Sequence, residues 1–155
     1  FAAGSRPPLT GVAARMAAAR AAAAAIENRP CGGPAFNLLV LPPEGDGPIH
    51  VYQMSPRMVP DKAPAAGHFR TAVAADGTVA PSTSLGGECT DITLSAVPTG
   101  QRPRPLTVNG GTALLPNELH VFLSLWLSRP VVVATGGERV RLWGVTGQGI
   151  AELQQ

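Results

Sequence analysis

The stretch His68-Phe69-Arg70-Thr71-Ala72-Val73-Ala74-Ala75-Asp76-Gly77-Thr78-Val79-Ala80-Pro81 decides the class of fold. Phe69, Thr71 and Val73 alternate with His68, Arg70 and Ala72, the period-two pattern of a strand with one apolar and one more polar face. Asp76-Gly77 supplies positive φ cheaply, as a type I′ turn requires. Residues 78–81 are therefore expected to return antiparallel to residues 68–74.

Working outward, short apolar runs separated by Gly and Pro predict further strands at 36–41, 49–54 and 90–97. In the last of these Ile92, Leu94 and Ala96 oppose Asp91, Thr93 and Ser95. The tail reads as a β-meander of strands at 130–135, 139–143 and 150–153. Its turns fall at Gly136-Gly137 and Thr146-Gly147-Gln148-Gly149. Val140 and Leu142 are expected to face the core, with Arg139, Arg141 and Trp143 on the opposite side.

Two helices complete the pattern. Arg6-Pro7-Pro8-Leu9-Thr10 blocks an earlier helix and offers Thr10 as a hydroxyl cap, so a helix is expected at 11–28, after an extended or disordered tail at 1–9. Val12, Met16, Ala19, Ala23 and Ile26 share one shallow face suited to close packing on a sheet. Residues 115–127 carry both periods: Leu119, Val121, Leu123, Leu125 and Leu127 alternate, whereas Leu115, Leu119, Phe122, Leu123 and Trp126 follow helical spacing. Pro116, Asn117, Glu118 and the trailing Pro130 favour a helix near 116–128. Its polar stripe would be His120, Ser124 and Ser128. Residues 55–67 and 98–112, interrupted by prolines and glycines, read as long loops, which are either binding elements or surface filler. The expectation is one α+β domain over residues 1–155, built on a largely antiparallel sheet.

Composition fits a globular chain: 45% hydrophobic and only 14% charged, against about 25% charged on average. Lys62 is the sole lysine among 12 basic residues, a skew that looks like nucleotide-composition bias. A nucleic-acid partner is not expected, because Arg102 and Arg104 between prolines are the closest approach to a basic run. Neither is a membrane span, since the Ala-rich stretch 12–26 is broken by Arg15 and Arg20. Phe1 in place of an initiator Met implies removal of something upstream.

Cys31, in a Pro-Cys-Gly-Gly loop, and Cys89, on the polar side of the strand with Asp91, are the only cysteines. They either form a disulfide in an oxidising compartment or are unrelated thiols. Such a bridge would stabilise the fold by about 4 kcal/mol on the chain-entropy argument. The sharper alternative makes Cys89 a nucleophile, with His68 or His120 as base and Asp91 as orienter. His50, His68 and His120 lack the close spacing of a metal motif, so no metal is expected. Serine elbows and phosphate-binding glycine loops are missing too, and no cofactor is expected. Trp143 beside Arg139 and Arg141 is the candidate partner-binding patch. The expected function is binding or assembly, through a protein partner or self-association, by a non-enzymatic domain of an exported bacterial protein, periplasmic or secreted. The alternative is a small hydrolase or thiol enzyme using Cys89, His68 and Asp91.

Overall fold

The computed structural model describes residues 8–110, 113–136 and 139–154. Most of the expected tail at 1–9 lies outside these residues, as does Gly137 of the expected Gly136-Gly137 turn. The chain folds as α+β: α1 (Gly11–Ala24), β1 (Asn37–Leu41), β2 (Ile49–Met54), β3 (Lys62–Pro64), β4 (Phe69–Val73), β5 (Thr83–Ser84), β6 (Asp91–Thr93), β7 (Leu106–Asn109), α2 (Glu118–Leu127), β8 (Val131–Thr135), β9 (Arg141–Thr146) and β10 (Gly149–Leu153). These make an antiparallel sheet β1-β2-β4-β5, a second sheet β10-β9-β8-β7 and a ribbon β3-β6.

Helix α1 lies on the first sheet through Ala19 and Ala23, which are 1% and 0% exposed, over Ile49, Val51 and Val73. Alanine at the contact lets the helix axis approach the sheet closely, as the shallow apolar face implied. Its ends differ from expectation. The helix stops at Ala24, and the Thr10 side chain makes no capping bond, while Val12 is exposed.

The 74–78 turn closes the expected hairpin differently. Gly77 N donates to Ala74 O at 3.0 Å and Ala74 N to Thr78 O at 2.9 Å. Positive φ occurs at Gly77 (88°) but not at Asp76, which is the type I turn with a glycine bulge rather than type I′. Asp76 instead accepts the Thr78 amide on its carboxylate. Beyond the turn Val79 bridges back to Val73 and Ala80 N donates to Ala72 O at 2.9 Å, and the strand that completes the sheet is Thr83–Ser84. The strand expected at 90–97 shortens to Asp91–Thr93.

The second sheet holds the main departures. Leu106–Asn109, hidden behind Pro103 and Pro105, forms a strand parallel to β8, so α2 is the crossover of a β7-α2-β8 unit. Lys62–Pro64 likewise emerges from the other expected loop. The meander β8-β9-β10 is present, but its faces are inverted. Trp143 pairs with the fully buried Val133, and Val145 with Val131, so Trp143 packs on the core and Val140 is exposed. That core gathers Leu106, Val108, Leu119, Leu123, Val131, Val133 and Val145, with Met54 and Leu85 from the first sheet's side.

Candidate functional site

Cys31 and Cys89 form a disulfide, with Cα atoms 5.4 Å apart across 58 residues. A buried hydrogen-bond knot anchors it. Ser55 Oγ accepts the Cys31 amide at 2.8 Å and donates to Gly67 O at 2.6 Å. The Ser55 amide donates to His68 Nδ1 at 3.0 Å, and His68 Nε2 lies 3.1 Å from Pro64 O. Those contacts define a neutral imidazole with its proton on Nε2, and burial lowers the His68 pKa, opposed by the Pro64 bond.

The second buried histidine has an equally local task. Asn117 caps α2 by accepting the Leu119 amide on its side chain, and His120 Nδ1 accepts the Asn117 amide at 3.0 Å. This is a capping box with histidine in the position usually held by Glu or Gln. Burial lowers the His120 pKa, with the Asn117 backbone and Glu118 opposing. The expected polar stripe thus turns inward: His120 and Ser124 are buried, and Ser124 Oγ donates to Arg129 O.

Among the suggested catalytic residues, Cys89 and Asp91 line one small cavity of about 160 Å³ together with Cys31 and Lys62. His68 and His120 do not line it. The Cys89 sulfur is bonded to Cys31, and His68 uses both ring nitrogens elsewhere. His50 sits on β2 with a buried Nδ1 that has no partner among the described residues. Among the described residues, no three His, Cys, Asp or Glu side chains gather to hold a metal.

Of the expected patch, Trp143 donates its indole N–H to Thr135 Oγ1 at 2.8 Å. Arg141 covers the ring at 4.8 Å and grips Glu152 with two hydrogen bonds. Arg139 is exposed, and its amide donates to Gly136 O at 3.0 Å. A different apolar strip lies outside α2, where Leu125 and Trp126 are exposed and Trp126 stacks on Phe122.

An open groove of about 990 Å³ lies between β6 and β7, walled also by residues 95–98 and 101–105. Its edges can be read from the ladders. Leu94 N donates to Asp61 O and Ala65 N to Thr90 O, so Thr90, Ile92 and Leu94 face β3, and the backbone groups of Asp91 and Thr93 face away. Leu106 N donates to Pro130 O and Gly110 N to Ala134 O, so Thr107 points its N–H and C=O away from β8. Arg129 ties one wall by donating to Ser95 O at 2.6 Å. Arg102 and Arg104 are exposed on the other wall.

Comparison with protein-family models, with curated proteins and with solved structures finds no match. Among the described residues no helix is long and apolar enough to cross a membrane. The disulfide fits an extracellular location.

The groove was missed because its β7 wall falls within residues 98–112, which prolines disguised as loop, although the β6 wall lies in the expected 90–97 strand. The signal available was the Leu106-Thr107-Val108-Asn109 alternation.

Proposed function

We propose that this chain is a non-enzymatic binding or assembly domain of an exported bacterial protein, periplasmic or secreted, which engages a protein partner through the groove between β6 and β7. The observation that carries the reading is that two open strand edges face one concavity of about 990 Å³, at the upper end of the range for binding sites. Export is supported by the disulfide, which persists in oxidising compartments.

Arg139, Arg141 and Trp143 are the second candidate surface. Because Glu152 holds Arg141 and the indole lies on the core side, a partner there would meet the guanidinium edge rather than the ring. A thiol enzyme at Cys89 would first require the bond to Cys31 to open.

The test places a photo-crosslinking residue at Gln101, on the groove wall, or at Glu44, an exposed residue between β1 and β2, in the full chain made by a bacterial cell. The expected result is a discrete adduct from position 101 alone, in the envelope or culture supernatant. Equal labelling from both positions, no adduct, or a reduced cytosolic chain would contradict the proposal.

A further inference from the structure

We infer that the groove is a strand-acceptor site: it takes an extended segment of a protein partner, with alternating apolar and acidic residues, that pairs through its backbone with β7 and β6. The inference rests on the binding reading above and specifies its ligand.

Three observations converge on it. Asp91, Thr93 and Thr107 carry backbone donors and acceptors that no described residue satisfies, and they line the same groove. An unpaired strand edge is a template for another strand, and main-chain hydrogen bonds supply the affinity in such additions. The side chains between those edges already share a core: Ile92 and Leu94 of the β6 side pack on the cluster that contains Leu106 and Val108 of β7. A strand laid between them would send alternate side chains into that cluster, which selects apolar residues at every second position.

The intervening side chains would face outward, and charge decides their nature. Arg102 and Arg104 on the groove wall are exposed and form no ion pair or hydrogen bond with a described residue. Glu88 and Asp91 stand on the β6 wall, so the groove is bipolar and the acidic residues of the ligand belong on the β7 side. Arg129, tied to Ser95 O, braces the wall rather than binding.

The experiment uses the oxidised full chain and a displayed library of random peptides of about twelve residues. Enriched sequences should alternate apolar and polar positions and contain Asp or Glu. One such peptide, made synthetically, should lose roughly tenfold or more in affinity when alternate amides are N-methylated, because the pairing donors go and the side chains stay. Two domain variants complete the set. Thr107→Pro removes a donor that the β7–β8 ladder does not use and should abolish binding while leaving unfolding unchanged. Arg102→Gln combined with Arg104→Gln should weaken binding and remove its sensitivity to salt.

An N-methylated peptide that binds as well as its parent overturns the inference even if a variant fails to fold. Enrichment of basic peptides also overturns it. So does tight binding of a single-stranded oligonucleotide or an anionic phospholipid vesicle in place of any peptide. If no peptide is enriched but the crosslinker at 101 still captures a discrete partner, strand addition fails and the binding reading stands. If both experiments are blank, both fall.

Discussion

The sulfur of Cys31 occupies the space that a side chain at Gly67 would need. A β-carbon at Gly67 would overlap Cys31 Sγ and lie 2.9 Å from Ser55 Oγ, and the residue has φ of 72°. Glycine is thus required twice, by conformation and by contact. Gly67→Ala should impair closure of the Cys31–Cys89 bond and lower stability by about 2–4 kcal/mol, comparable to removing a native disulfide. Thiol counting under denaturing conditions together with chemical unfolding checks this; a fully oxidised variant of unchanged stability would refute it.

Thr71 is fully buried opposite Val51 of β2, and its hydroxyl has no partner among the described residues. A buried hydroxyl left unpaired costs about 1–3 kcal/mol. Thr71→Val keeps the shape and β-branching and removes that cost, so it should raise stability by about 1 kcal/mol. Denaturant unfolding midpoints of the two proteins decide the matter, and a less stable variant would show that the hydroxyl is satisfied.

Burial lowers the pKa values of both His68 and His120. The unfolded chain takes up protons near pH 6.5 that the folded chain resists. The stability associated with the neutral imidazoles is therefore complete above that pH and is lost as pH falls through the shifted values. Each histidine contributes a slope approaching about 1.4 kcal/mol per pH unit in that window. Unfolding measured between pH 7 and pH 5 should show the decline, and His68→Gln should make it shallower. Stability that stays flat over this interval would contradict the assignment.

Tyr52 is the chain's single tyrosine, so its ionisation can be followed by absorbance without ambiguity. Burial raises its pKa above 10, and Glu118 adds to the rise while Arg70 opposes it. Arg70 and Glu118 are ion-paired at 2.6 Å, each a little over one-third exposed. Glu118→Gln should move the tyrosine titration downward and cost less than about 1 kcal/mol, as expected of a solvent-screened pair. An upward movement would place the carboxylate's influence elsewhere.

Much of the fold was legible where one periodicity dominated. Thr71 and Val73 are buried as their alternation required, Val73 in the cluster beneath α1, and the stretch Glu118–Leu127 is a helix because Asn117 and Pro130 bracket it with start and stop signals. The prolines misled elsewhere. Pro103 and Pro105 lie just outside Leu106–Asn109 and made a four-residue strand look like loop; Pro64 closes β3 in the same way. The face of β9 was misjudged because Trp143 sits between charged neighbours in sequence, whereas its pairing with Val133 is a register that only the folded sheet defines. The cysteines left the disulfide open, since proximity across 58 residues is a property of the fold. The groove is the hardest case: the Leu106-Thr107-Val108-Asn109 alternation marks the β7 strand, but that its outer edge is left unpaired is a property of the fold.

Amide hydrogen exchange at two adjacent residues tests the central claim most directly. In the free oxidised domain Thr107 should exchange rapidly and Val108 slowly, because the Val108 amide belongs to the ladder with β8 and the Thr107 amide faces the open groove. Addition of a selected acidic peptide should then slow exchange at Thr107 and Thr93 together. A Thr107 amide already as protected as that of Val108 in the free domain would mean that the edge is covered within the chain, and the strand-accepting groove would not exist.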